Sequence, residues 1–315
     1  MKAIIQIPCL NEQETLPATL ADLPREIDGI DEIELPVIDD GSTDETVAVA
    51  LECGVDHIVK LPNNRGLAAG FQAGLDACLK LGADIIVNTD ADNQYSGADV
   101  PLLVRPILDG EAEMVVGDRD VAAIDHFSAP KKVLQKFGSW VVRRLSDTEI
   151  TDATSGFRAY SREAALQLLV VDNFTYTLES LIQAGKGNVA VGEVAIHTNA
   201  KTRDSRLFGS TSAYVRRNGL AILRIYTRYE PLKVFSGLGV LVGILALAAW
   251  MPFLVDWILN GDRDGHIQSL LLGAVLFIVA MQLFALGVIG DLLAGQRVMT
   301  QRVFERVRRI ELELD

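Results

Sequence analysis

Short apolar runs alternate with helical patterns from Lys2 to about Asp120. Strand-like runs cover Ala3–Ile7, Ile33–Ile38, His57–Leu61, Ile85–Asn88 and Met114–Val116, and Val189–Ile196 alternates as a last strand. Between the first five lie helical patterns near Glu12–Leu23, Asp44–Cys53, Leu67–Leu81 and Asp99–Leu108. This β-α-β-α rhythm predicts an α/β fold, a Rossmann-like doubly wound, mostly parallel sheet. In such a sheet ligands bind outside the carboxyl ends of the strands. Further on, Lys131, Lys132 and Lys136 share a helical pattern with Val133, Leu134, Phe137, Trp140, Val141 and Leu145. Mixed basic and apolar residues at this spacing predict a helix lying in a membrane interface, with Trp140 at headgroup level.

The pattern changes near residue 230. Val234–Val255 and Ile267–Gly290 are uncharged runs of 22 and 24 residues, each long enough to cross a hydrocarbon core. Two domains are expected: a cytoplasmic catalytic domain over 1–229, and over 230–315 a membrane domain of two transmembrane helices with a basic tail. The opening strand pattern leaves no room for a signal peptide.

Charge refines this division. The net charge is −13, and residues 1–120 hold 24 acidic against 7 basic side chains, which argues against a nucleic-acid partner. Basic residues gather beside the spans instead: Arg216, Arg217, Arg224, Arg228 and Lys233 before the first, Arg297, Arg302, Arg306, Arg308 and Arg309 after the second. The loop between them is mostly acidic. The positive-inside rule therefore predicts a multi-pass protein of the cell membrane with both termini cytoplasmic. Cys9, Cys53 and Cys78 share no metal-ligand spacing and read as reduced thiols.

The chemistry is carried by loops at strand ends. After Ile85–Asn88 come Asp90 and Asp92, then Gln94, hard oxygen donors that suit Mg²⁺ or Mn²⁺ on the phosphates of a nucleotide. An EF-hand is excluded, because the sixth and twelfth positions from Asp90 are Tyr95 and Pro101. In the second loop, Ser42 and Glu45 have capping-box spacing. Asp39 and Asp40 have no such explanation, and adjacent carboxylates need partners: a base N–H, ribose hydroxyls or a metal. In the first loop Pro8 stops the strand and Asn11 is placed to cap the following helix. Arg65 opens a helix in which Gly66, Gly70 and Gly74 recur every fourth residue, for close packing on the sheet. Neither a G-x-G-x-x-G fingerprint nor a Walker A sequence is present.

Pro8-Cys9-Leu10-Asn11-Glu12, Asp39-Asp40-Gly41-Ser42-Thr43-Asp44, Asn64-Arg65-Gly66 and Asp90-Ala91-Asp92-Asn93-Gln94 fall in an order and spacing that resembles the family 2 glycosyltransferases of the GT-A fold. Within that family the chain looks most like the polyprenyl-phosphate or dolichyl-phosphate hexosyltransferases, the mannose and glucose synthases. The segment Asp152-Ala153-Thr154-Ser155-Gly156-Phe157-Arg158 resembles the D-x-T-S-G-F-R of the glucosyltransferases. The resemblance reaches about Leu207, and the family's two-span variant covers the rest.

It implies that Pro8, Asn11, Glu12 and Asp39 surround the base and ribose and that Asp90 and Ala91 contact the nucleotide; Asp40 and Arg65 are candidates for the same nucleotide sugar from their own chemistry, Arg65 either pairing with a phosphate or standing as a surface charge. It implies that Asp90, Asp92 and Gln94 hold Mg²⁺ or Mn²⁺, and that Asp152, with Arg119 and Asp92, serves the reaction. Lys201, Arg203 and Arg206 are implied for the acceptor and diphosphate. Two departures stand out. Asn93 replaces an aliphatic residue, and Arg206 takes a Lys position while Ala200 takes an Arg position. The expected activity is inverting transfer of a hexose, from UDP-glucose or GDP-mannose, to dolichyl or polyprenyl phosphate in the bilayer. Homo-oligomerisation stays open. The alternatives are transfer to another membrane or polysaccharide acceptor, and a nucleotide-sugar-binding membrane protein without transfer. A processive synthase would need a Q-x-x-R-W segment, and a nucleotidyltransferase a Gly-rich, Lys-bearing first loop; neither is present.

Overall fold

The computed structural model describes residues 1–119, 139–170, 176–199, 220, 223–260 and 266–314. Two compact units divide the chain, Met1–Ile222 with Gln301–Asp315, and Leu223–Thr300. The C-terminal residues, expected to belong with the membrane helices, thus count with the first unit.

Strand β1 (Lys2–Cys9) is the centre of the first unit and is buried at every position after Lys2. Such a continuous apolar run suits a parallel strand covered on both faces. It is followed by α1 (Leu16–Asp22), β2 (Glu32–Glu34), β3 (Pro36–Asp39), α2 (Thr46–Glu52), β4 (His57–Lys60), α3 (Leu67–Lys80), β5 (Ile85–Asn88), α4 (Val100–Leu108) and β6 (Met114–Asp118). After these come β7 (Arg158–Ser161), α5 (Arg162–Gln167), α6 (Tyr176–Lys186) and β8 (Val191–Ala195). Among the described residues eight strands form one sheet in the order β4-β3-β1-β5-β7-β6-β8, with β2 also paired to β1. Only β7 runs antiparallel to its neighbours, β5 and β6. Residues 139–146 are helical, and Trp140 is exposed there. Lys131, Lys132 and Lys136 lie outside the described residues.

The structure corrects several boundaries. The strand expected over Ile33–Ile38 is two, because at Leu35 the backbone turns to Asp56, donating to its carboxylate at 2.7 Å and accepting its N–H at 3.2 Å. The first helix starts at Leu16 rather than near Glu12, since Glu12–Thr15 close a turn in which Thr15 N–H donates to Glu12 O at 3.1 Å. The glycine spacing in α3 has the expected consequence at Gly74, where an added Cβ would lie 2.1 Å from Gln6 Oε1.

In the second unit α7 (Pro231–Val255) and α8 (Ile267–Leu314) begin with the two predicted apolar runs. Both are long and apolar enough to cross a membrane, and little of either is buried. They pack antiparallel through small residues, as membrane helices do. A Cβ on Gly239 would touch Ala280 O at 3.1 Å, and Trp250 donates to Leu270 O at 3.0 Å. Their remaining apolar surface, including Leu241, Ile244, Leu271 and Ile278, is exposed, which suggests membrane association. α8 runs on as helix to Leu314, well past Gly290, where the apolar run ends.

Candidate active site

The parallel strands β1, β3, β5 and β6 bring their C-terminal loops to one end of the sheet. The first two loops are stitched together. Asn11, at φ +56°, donates its N–H to Ser42 Oγ at 2.9 Å and accepts Thr43 N–H on its side chain at 2.8 Å. Glu12 N–H donates to Thr46 Oγ1 at 2.8 Å. Neither expected cap is therefore formed. Ser42 is used by Asn11, α2 starts at Thr46 with its amide on Asp44, and Asn11 serves the second loop rather than its own helix.

The adjacent carboxylates Asp39 and Asp40 find different partners. Asp40, expected near the nucleotide, accepts the N–H groups of Arg65 and Gly66 at 2.7 and 2.8 Å and so holds the third loop. Asp39 is fully buried; one oxygen accepts Ser42 N–H at 2.9 Å and Oδ2 meets no donor. A buried acceptor left so is costly and invites a ligand N–H or O–H. Arg65 itself is exposed.

The fourth loop carries the acidic motif. Asn88, buried at the end of β5, accepts from Gln6 at 2.9 Å and donates to Gly156 O at 2.8 Å, which fixes the loop's base. Burial, then the charge of Asp92, pushes the Asp90 carboxyl up to about 7, while Arg119 pulls the other way. Gln94 donates to Asp92 from its backbone at 3.2 Å and from its side-chain amide at 2.7 Å. The three expected metal ligands thus share one loop. Among the described residues no three His, Cys, Asp or Glu side chains cluster, and the donors expected on this loop are two carboxylates and an amide. That suits a hard octahedral cation completed by phosphates and water, which would also relieve the repulsion between Asp90 and Asp92.

Facing this loop is a buried ion pair. Arg119, just past β6, grips Asp152 with Nε at 2.7 Å and Nη2 at 3.0 Å, and reaches Thr154 Oγ1 at 2.9 Å. Burial alone would raise the Asp152 pKa, but the Arg119 charge and hydrogen bonds hold it below the ordinary carboxylate range. Asp152 is thus ionised at neutral pH and held in one orientation.

Sequence reasoning missed three supports. Arg158 is fully buried and donates to Ser155 O, Ala153 O, Thr177 O and Ser180 Oγ at 2.7–3.0 Å, setting the path of residues 152–156. Tyr95 stacks on Phe157 and accepts Gly156 N–H at 3.0 Å. Asn199 bonds to the acidic loop. The Arg158 signal lay in the D-x-T-S-G-F-R segment; the other two had none, because their partners are distant in sequence. Pro8 and Asp39 from strand ends, and Asn11, Glu12, Asp90, Ala91, Asp92, Gln94, Arg119 and Asp152 from the loops, come together at this one end of the sheet. Lys201, Arg203 and Arg206 lie outside the described residues.

Comparison with known proteins places the fold and the family. Residues 4–169 match "Glycosyl transferase family 2". The chain is 30% identical over 213 residues to UDP-N-acetylglucosamine--dolichyl-phosphate N-acetylglucosaminyltransferase of Methanococcus voltae, covering 61% of this chain and 83% of the relative. It is 28% identical over 221 residues to polyprenol monophosphomannose synthase of Mycolicibacterium smegmatis, covering 66% and 82%. Among solved structures, glucosyl-3-phosphoglycerate synthase of Mycobacterium tuberculosis, in complex with Mn²⁺, UDP and phosphoglyceric acid, superposes with a TM-score of 0.53 at 23% identity, over 70% of this chain and 78% of that one. The same synthase is also solved with Mg²⁺ and UDP. The fold is GT-A-like: a mostly parallel sheet between helices, followed here by two apolar helices.

Proposed function

The chain belongs to glycosyl transferase family 2, and from that premise we propose that it transfers a hexose from a nucleoside diphosphate sugar to dolichyl or polyprenyl phosphate at a membrane surface, with inversion. The observation that carries the reading is the meeting of the Asp90–Gln94 loop with the Arg119–Asp152 pair at the ligand-binding end of the sheet. Two membrane-length helices in the same chain, and relatives named for dolichyl-phosphate and polyprenol substrates, support the lipid acceptor.

Pro8, Asn11 and Glu12 border the nucleoside, and the unsatisfied Asp39 Oδ2 accepts a hydrogen bond from one of its N–H or O–H groups. Asp90, Asp92 and Gln94 would hold Mg²⁺ or Mn²⁺ on the diphosphate. Such an ion supplies Lewis-acid neutralisation of the leaving group. The nucleophile is an oxygen of the acceptor phosphate, largely dianionic at neutral pH because its second pKa is about 6. That oxygen bonds to the anomeric carbon as the bond to the diphosphate breaks, so one displacement inverts the centre. A strong general base is unnecessary, which fits an Asp152 clamped by Arg119: it orients sugar or acceptor rather than taking a proton. The Arg119 charge is balanced by Asp152, so Lys201, Arg203 and Arg206, which the resemblance implies for the acceptor and diphosphate, would supply the positive charge where two phosphates converge. The catalytic part and both termini face the cytoplasm.

The test is transfer of label from UDP- and GDP-sugars into extractable lipid, using purified protein, dolichyl phosphate and Mn²⁺ or Mg²⁺. We expect an acid-labile labelled lipid with one donor, abolished by EDTA and reduced at least 100-fold by Asp92→Ala. Label reaching water or a polymer, but never lipid, would exclude the acceptor assignment.

A further inference from the structure

The acidic loop is held from outside at several points, among them Thr19 Oγ1 donating to Ala91 O at 3.0 Å and Gly156 N–H donating to the Tyr95 hydroxyl at 3.0 Å, and the turn after Asp92 has a holder of its own. Asn93 sits in the left-handed region at φ +54°, so the loop turns sharply between Asp92 and Gln94. Its next three peptide carbonyls all meet Asn199. The Asn199 side-chain amide donates to Asn93 O and to Tyr95 O, each at 3.2 Å, and its backbone N–H donates to Gln94 O at 2.9 Å. The peptide joining Asn93 to Gln94 is the decisive one. Its oxygen is gripped by Asn199, and its N–H is the one that holds Asp92 Oδ1. Gln94 is thereby pinned on both sides, and its side chain in turn sets the Asp92 carboxylate at 2.7 Å.

We infer that Asn199 is a positioning residue for the divalent-cation site: it orients Asp92 and Gln94 through the peptides between them. The inference rests on the proposed function. Partners that orient metal ligands are typically worth about 10–100-fold in metal affinity.

The measurement is Mn²⁺ binding by the full-length protein in detergent, read from the electron paramagnetic resonance signal of free Mn²⁺, with UDP and separately with GDP. Asn199→Ala should weaken Mn²⁺ binding about 10-fold or more. Asn199→Asp keeps the shape but loses both amide donors and should do the same, which secures the test if the alanine variant folds poorly. His197→Ala is the control on the same segment, since its ring faces Asp99 and not the loop carbonyls. It should leave Mn²⁺ affinity unchanged. Wild-type affinity in both Asn199 variants, or equal losses in the His197 variant, would overturn the positioning role. A wild-type protein that binds no Mn²⁺ with either nucleotide would sink the proposed function, and the positioning role with it.

Discussion

Asp152 and Gly156 show how single residues set this site. Gly156 lies against the Asp90 carboxylate: an added Cβ would stand 3.2 Å from both its oxygens and 2.8 Å from the Tyr176 hydroxyl. The residue that bounds the Asp90 site therefore belongs to the segment that carries Asp152. Asp152 has its pKa lowered from 3.8, so its pairing with Arg119 stabilises the fold above that value and is lost as pH falls through the folded pKa. Asp152→Asn leaves Arg119 short of its counter-charge, a change that costs about 3 kcal/mol at neutral pH for a buried pair. The gap in melting temperature between wild type and variant should be widest at pH 6–8 and close below about pH 4; a pH-independent gap would show that no ion pair is lost. At this scale the sequence identified the chemistry but not the division of labour. That two neighbouring acids, Asp39 and Asp40, needed partners was legible. That Asp40 would spend both oxygens on Arg65 and Gly66 amides was not, because loop closure decides which donor arrives.

Among the elements, β7 is one that the pattern concealed. Its four residues follow the Thr154-Ser155-Gly156 turn and carry the buried Arg158, so neither alternation nor apolar content marks them. Its place between β5 and β6 nevertheless delivers residues 152–156 to the acidic loop. The end of α8 was legible only as a basic run. In the first unit Arg308, nearly fully buried, donates to Ala165 O at 2.9 Å and Leu168 O at 3.3 Å at the end of α5, and pairs with Asp76 on α3. Arg309 pairs with Glu163 at 2.5 Å in a more exposed setting. Leaving those carbonyls unmet costs about 1–3 kcal/mol, so Arg308→Ala should lower the melting temperature in detergent by several degrees. Arg309→Ala should cost under about 1 kcal/mol, as exposed pairs do. Equal effects from the two would mean that the buried contacts add nothing.

For the whole molecule, orientation in the membrane is the testable property. Arg224, Arg228 and Lys233 precede α7, Arg297, Arg302 and Arg306 follow the apolar run of α8, and the acidic loop lies between the helices. With that polarity an impermeant maleimide should label His266→Cys in intact cells, and should label the exposed native Cys53 only after permeabilisation. The reverse pattern would place the catalytic part outside. By itself the sequence determined the alternation of strands and helices, the two apolar helices of membrane-crossing length and the order of the site motifs. Periodicity, length and charge are local properties, and local physics is enough to read them. Only the tertiary structure decided that β7 runs antiparallel and that Arg119 neutralises Asp152. It alone decided that Asn199, more than a hundred residues from Asp92, holds the loop on which Asp92 sits. Those are contacts between segments far apart in the chain, and which segments meet is settled by packing the whole sheet.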